Sequence, residues 1–294
     1  MWLFRKNLDL KRAILRPLNA DDLTVCARLL RDGARRYYGL SGSDLAGLLA
    51  AARGVGLELG GELCAMVLAG WPIAHTCWLR GLALAEGLEP QATLALLIPA
   101  FHNQLAATGS RMIYYAGDEA ADNWLIPALR RWGYADETEV VVYEKPDLLI
   151  PDLGHARVQV RPATRVDLPE VLRLDRVCFE PQWTKDDTVL GPAIDQGPYA
   201  VVAEVDGALV GYAYATTHFG GRLVHLVRIA VEPAQRGSRI GVRLLADLTA
   251  FAADQGASVI TLNTQAYNTQ AQRLYRWFGF APTGERQRIL RADL

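Results

Sequence analysis

Hydrophobic and polar positions change period repeatedly along the chain, and the changes mark out elements. In the second half, YAVVAEV and LVGYAYATTHF alternate as strands do, and the Asp206-Gly207 pair between them signals a hairpin. An extended apolar run over 223–231 ends at Pro233 and a polar loop. Beyond it Ile240, Leu244, Leu245, Leu248, Phe251 and Ala252 recur at helical spacing, which predicts a helix to about Gln255 with one face packed on a sheet. SVITLNT then reads as a strand, a helix from about Thr269 to Phe278 is ended by Gly279, and RQRILR is a last strand. Upstream, a strand at 157–162 leads to a helix over 167–178. A second helical piece opens at Thr184, with Asp187 placed as its capping partner.

The first half repeats this order. Arg16-Pro17 and Arg161-Pro162 each close an extended stretch, and Asp22-Leu23 and Asp167-Leu168 follow them in one register. Asn123 precedes Trp132 by the interval that separates Asn268 from Trp277, and both pairs of matches are offset by 145 residues. In the first copy the hairpin reads GLELGGELCAMVLAG, the fourth strand CWLRGLALA, the long helix starts near Pro90 and RMIYYAG is the fifth strand. Two α/β (α+β) domains of one type are predicted, 1–148 and 157–294, each a mixed, mostly antiparallel sheet flanked by helices. The Pro-containing stretch EKPDLLIPDLGHA joins them.

Composition narrows the class without naming a function. With 51% hydrophobic and 21% charged residues and a net charge of −1, the chain reads as an ordinary globular protein with no global field for nucleic acid or an anionic membrane. The opening MWLFRKNLDLKRAIL has scattered charges and does not read as a signal peptide, and no apolar run reaches the ~20 residues of a bilayer span. Cys26, Cys64, Cys77 and Cys178 fall in no metal or disulfide spacing, so a cytoplasmic protein without a metal is expected.

Candidate chemistry centres on 227–241, VRIAVEPAQRGSRIG, a strand-loop-helix unit. The first N–H groups of a helix lack intrahelical partners and its dipole favours an anion there. Arg236 and Arg239 sit badly at the positive end of a helix unless a negative group joins them. The equivalent loop of the first copy, EGLEP, carries acids that would repel a phosphate.

These residues resemble the GNAT superfamily of N-acetyltransferases, over about 157–294. The signature Gln/Arg-x-x-Gly-x-Gly/Ala lies on Arg236, Gly237, Ser238, Arg239, Ile240 and Gly241, with Arg239 in place of the middle glycine and expected to present its N–H with φ below zero. A second signature lies on Asn268, Ala271, Leu274, Tyr275 and Gly279-Phe280. The resemblance implies an acetyl-CoA-dependent transfer of acetyl to a primary amine in a ternary complex. Ile229, Ala230 and Val231 would hold the pantetheine and thioester, residues 236–241 the pyrophosphate, and Asn268 and Ala271 the arm. Tyr275 would be general acid to the leaving thiolate.

The base is less defined. His225 stands where histone-type members carry a Glu, Asn263 stands where N-terminal acetyltransferases carry one, and Glu180 in FEPQWT is a second candidate, acting through water. Trp183 and His218 would line the acceptor pocket. Arg130 stands where Tyr275 has its counterpart, so the first copy reads as degenerate, a layout similar to tandem acetyltransferases of the mycothiol synthase type. A small-molecule amine and a peptide or protein amine remain open as acceptor, with a monomer or homodimer. The rival readings are a non-catalytic acyl-CoA-binding scaffold and a transferase for another acyl-CoA.

Overall fold

The computed structural model describes residues 8–39 and 45–294, so the opening stretch read for a leader lies partly outside the described residues. In chain order the elements are β1 (Ile14–Pro17), α1 (Leu23–Asp32), β2 (Arg35–Tyr38), α2 (Leu45–Ala50), β3 (Gly54–Leu59), β4 (Glu62–Ile73), β5 (Thr76–Leu84), α3 (Pro90–Ala107), β6 (Met112–Ala116) and α4 (Glu119–Arg131). They continue as β7 (Ala135–Lys145), β8 (Gln159–Pro162), α5 (Leu168–Cys178), α6 (Asp187–Gln196), β9 (Tyr199–Val205), β10 (Ala208–His218), β11 (Leu223–Val231), α7 (Ile240–Asp254), β12 (Val259–Gln265), α8 (Thr269–Trp277) and β13 (Ala281–Asp293). Among the described residues no helix is long and apolar enough to cross a membrane.

Two compact units result, one of residues up to 137 with Gln287–Leu294, the other Thr138–Arg286. They differ from the halves expected at 1–148 and 157–294 because late strands are exchanged. Residues 140–145 of β7 pair antiparallel with β12 in the second unit, and Ile289 to Asp293 of β13 pair with β6 in the first. The first unit has the order β1-β3-β4-β5-β6-β13, with β2 also on β5; the second has β8-β9-β10-β11-β12-β7. Only β5–β6 and β11–β12 are parallel among the pairings described.

The repeat is visible as one ionic device built twice. Arg16 holds Asp22 at 2.6 Å and Glu58 at 2.6 Å, and Arg161 holds Asp167 at 2.7 Å and Glu204 at 2.5 Å. Each aspartate also closes a capping box, with Asn19 or Thr164, at the turn that starts the following helix. The bidentate guanidinium holds both carboxyls below their ordinary range.

Local sequence explains most boundaries of the second unit. Asp206 and Gly207 both take positive φ, +51° and +80°, as a two-residue hairpin turn requires. Helix α6 starts at Asp187, later than expected, because the Thr184 hydroxyl donates to the Glu180 carbonyl at 3.1 Å and so closes the preceding turn instead. On one sheet face Val224 and Leu226 meet Leu244, Leu245 and Leu248 of α7, Tyr275 of α8 and Phe278 just beyond it. On the other, Tyr212, Tyr214 and Ala230 meet Leu168, Val171 and Leu174 of α5 and Leu190 of α6.

Candidate active site

A gap in backbone pairing creates the site. β11 and β12 pair from Leu223↔Val259 to Leu226↔Leu262, and there the ladder stops. β11 goes on to Val231 with its other edge still paired to β10, Arg228↔Tyr214 through Val231↔Gly211. The pairing register shifts between Tyr214 and Ala215, so Val227 is an extra residue of β11, a bulge that bends the strand where it leaves β12. The edge of 227–231, including Ile229, Ala230 and Val231, is thus left without a strand partner in this unit, a row of donors and acceptors open to an extended ligand.

The loop after this strand delivers the start of α7. Gly237 lies at φ +84°, and Arg239, the residue before the helix, lies at φ +66° rather than below zero. A left-handed residue with a side chain costs about 1–2 kcal/mol, and the contact that accompanies it is an ion pair from the Arg239 guanidinium to Asp152. Arg236 Nε lies 3.4 Å from the Val231 carbonyl oxygen, to which it donates. The expected pair of phosphate-facing cations is therefore already engaged: a carboxylate sits beside Arg239. The first-turn N–H groups of Ile240, Gly241 and Val242 have no intrahelical acceptor. A Cβ on Gly241 would come within 3.2 Å of Leu274 Cδ2, so this turn packs closely on α8.

Helix α8 contributes the candidate acid. Tyr275 is buried, its ring 6.2 Å from Tyr143 and 6.0 Å from Phe280 between centroids, and burial pushes its phenol above the ordinary range. It shares one apolar cluster with Ile240, against which Ile229, Val231, Ala271 and Leu274 also pack. The structure thus gathers strand end, helix start and tyrosine on one face. Asn268 caps α8, its Oδ1 accepting from Ala271 N at 3.2 Å. Its carbonyl is spent on the helix and its amide NH2 is the part left for a ligand.

The base candidates lie elsewhere. Val224 and Leu226 face the cluster of Tyr275, so His225 between them projects from the opposite face. His225 Nδ1 is 2.9 Å from Thr261 Oγ1, and burial, then the charge of His218, lowers its pKa. His218 Nε2 is 3.0 Å from Thr216 Oγ1. Glu180 accepts from Tyr267 Oη at 2.9 Å and from Gln182 Nε2 at 2.7 Å, and Trp183 Nε1 donates to the same Tyr267 oxygen at 3.1 Å. Cys178 is half-buried, donates to the Val231 carbonyl at 3.3 Å and has its thiol pKa raised by burial, which makes it a strut rather than a nucleophile.

An ion pair that sequence reasoning missed fixes this side. Asp175, fully buried, lies 2.9 Å from Arg228 Nε and accepts from Tyr212 Oη and from Lys185 N at 2.6 Å. Arg228 stacks 3.7 Å from the Phe179 ring centroid and donates to the Trp183 carbonyl. The available signal was Asp175 itself, which continues the inward stripe of Val171, Leu174 and Cys178 on α5.

Comparison with known proteins identifies one domain. Residues 168–280 match the family described as Acetyltransferase (GNAT) family. The second unit carries a GNAT acetyltransferase domain. A Bacillus subtilis (strain 168) protein provisionally named as a ribosomal-protein alanine N-acetyltransferase is 29% identical over 133 residues, 45% of this chain and 85% of that protein. The thialysine N-epsilon-acetyltransferase of Bos taurus is 27% identical, covering 42% and 84%. Among solved structures, a GCN5-related N-acetyltransferase from Sphaerobacter thermophilus superposes with TM-score 0.61 at 15% identity, over 97% of this chain and 96% of that one. A tandem GNAT protein from the clavulanic acid biosynthesis pathway gives 0.60 at 14%, over 96% and 98%. At these identities the structures establish the fold.

Against the GNAT domain of the second unit, the first unit shows one decisive difference. Its parallel pairing also stops early, at Trp78↔Tyr114. The next part of β5, Gly81 to Leu84, pairs with β4 on one edge, so β2, which pairs Tyr38↔Gly81 through Arg35↔Leu84, occupies the other. Gly39 N extends the ladder to Arg80 O at 2.9 Å. The gap that stays open in the GNAT domain is filled here by the unit's own chain. Shifted by the repeat offset, β2 corresponds to Glu180 through Trp183, where Pro181 lacks an N–H and starts a 3-10 turn instead of a strand.

Proposed function

We propose that the second unit transfers an acetyl group from acetyl-CoA to a primary amine within a ternary complex. The observation that carries this is the unpaired edge of 227–231, ending beside the first turn of α7 and backed by Tyr275. The chain's groups fit the donor in kind. The open edge can bond an extended amide arm, the N–H groups of Gly237 and of 239–242 suit a pyrophosphate, and the Asn268 amide suits the arm. Acetyl-CoA would supply the activated acyl carbon.

The protein's own groups then do three things. Backbone N–H groups near Ile229 to Val231 polarise the acyl oxygen and stabilise the charge it gains. Tyr275, held protonated at neutral pH by burial, gives its proton to the sulfur as the carbon–sulfur bond breaks. Glu180 or His225, on the opposite side of the sheet from Tyr275, removes the proton of the incoming ammonium. His225 is neutral at pH 7 but its Nδ1 is engaged by Thr261, while Glu180 stands on an exposed rim; that exposure favours Glu180.

The first unit serves as a support that has lost the donor site, a reading favoured by β2 in its gap. Four free thiols suit a reducing cytoplasm, and a monomer or homodimer is proposed as the working form. The test is a thermal shift with acetyl-CoA and with propionyl-CoA, followed by thiol release with a panel of amines. Absence of any stabilisation by either donor refutes the reading. Tyr275→Phe should keep the shift and lose most turnover, and equal turnover would remove Tyr275 as the acid.

A further inference from the structure

The rim of the open gap holds a cluster that no motif announced. The 178–184 segment is tied to β11 twice, by Cys178 Sγ to the Val231 carbonyl at 3.3 Å and by Arg228 to the Trp183 carbonyl. Its backbone is closed on itself, with Trp183 N and Thr184 N donating to the Glu180 carbonyl at 2.9 and 3.1 Å. Tyr267 reaches this rigid turn from the end of β12, the other wall of the gap. It accepts from Trp183 Nε1 at 3.1 Å and donates to Glu180 Oε2 at 2.9 Å. Gln182 Nε2 donates to the same oxygen, and Glu180 Oε1 makes no hydrogen bond among the described residues.

We propose that Tyr267 is a positioning residue that aims Glu180 Oε1 at an acceptor arriving as a primary ammonium ion. The proposal rests on the acetyltransferase reading above. Three observations combine in it. Tyr267 and Glu180 are exposed, so the cluster stands where an acceptor first meets the protein. A carboxylate that accepts from Tyr267, which in turn accepts from Trp183, suits a cation by its charge. Two donors fix one carboxylate oxygen and leave the other with its lone pairs unspent, so the acid has a direction as well as a charge.

The same bonds fix the loop as a turn rather than a strand. In the first unit the corresponding segment, Arg35 to Tyr38, lies down as a strand on that edge. In the second, Pro181 removes a strand donor, and Tyr267 clamps the residues on either side of it. Tyr267 therefore orders the acceptor rim without touching the acyl donor.

The proton balance is complete. The ammonium loses one proton to Glu180 and its nitrogen lone pair forms the bond to the acyl carbon. The carbon–sulfur bond breaks with its pair on sulfur, which takes the Tyr275 proton. The second proton leaving nitrogen restores the phenol, and Glu180 returns its own to water.

The experiment uses the full chain, with acetyl-CoA and a probe panel of alanine amide, an alanine-started tetrapeptide, tyramine and lysine methyl ester. Tyr267→Phe should lower kcat/KM for the best amine about tenfold and leave the acetyl-CoA dissociation constant within twofold. Glu180→Gln should lower it further, and the double variant should match Glu180→Gln alone, because Tyr267 acts through Glu180. Additive losses, or an unchanged Tyr267→Phe, overturn the proposal, as does acetyl-CoA binding with no panel amine acetylated. Failure of acetyl-CoA to bind the wild-type chain instead refutes the acetyltransferase reading, which separates the two failures.

Discussion

Titration of the full chain with acetyl-CoA should find one site, although the chain contains two copies of the fold. For a second molecule to use the first unit, β2 must leave the edge of β5. That breaks the antiparallel ladder of Arg35 to Tyr38 and the Gly39 N to Arg80 O bond of 2.9 Å. At about 0.5–1.5 kcal/mol net for each backbone bond, the ladder is worth about 3 kcal/mol. Tyr37 leaves with it, and it is buried with its ring 4.8 Å from that of Tyr115. Exposing an aromatic of this kind costs about 2 kcal/mol more. A total of about 5 kcal/mol weakens binding by about three to four powers of ten. Isothermal titration calorimetry should therefore saturate at one equivalent, with no second transition until the ligand is about a thousandfold or more above the first midpoint. Two equivalents with dissociation constants within tenfold of each other would show that β2 does not close the gap.

Arg239→Gly and Arg239→Ala both lose the pair with Asp152, but only glycine accepts φ +66° without strain, so the glycine variant should be the more stable by about 1 kcal/mol in urea unfolding; an alanine variant of equal or greater stability refutes the strain. Arg228→Met leaves Asp175 buried without its cation and should cost about 3–5 kcal/mol, whereas Arg228→Met with Asp175→Leu should recover most of it; no recovery would locate the loss in packing. His102 is pushed down to about 4 by burial, so the unfolded chain takes its proton first as pH falls below about 6.5. The first unit should lose up to about 3 kcal/mol between pH 6.5 and 4, and His102→Phe should flatten that slope in denaturation followed at several pH values.

How much of this was legible in the chain follows from how local each cause is. The hairpin at Asp206-Gly207, the stripe of α7 and the Arg-Pro/Asp device follow from a few neighbouring residues, and the sequence pattern reads them directly. The Arg239 conformation was misread because an ion pair with Asp152, distant in sequence, accompanies it. The strand exchange was hidden for a different reason. β7 and β13 are equivalent strands of a repeat, so pattern alone cannot say which sheet each joins. Tyr267 and Trp183 meet only because the β11–β12 gap brings two loops together, and no spacing records that. The difference between β2 and its repeat partner was legible in part, since Pro181 is a strand breaker in plain sight.

The exchange of strands has a bearing on synthesis. The first unit receives its edge partner for β6 from residues 289–293, which leave the ribosome only after every residue of the second unit. Until then the β6 edge is a row of unpaired N–H and C=O groups on a nascent chain, the kind of edge that recruits stray strands. A translation pause or stop ahead of residue 289 should thus harm the half of the protein made first, and a chaperone holding that half would be released by β13.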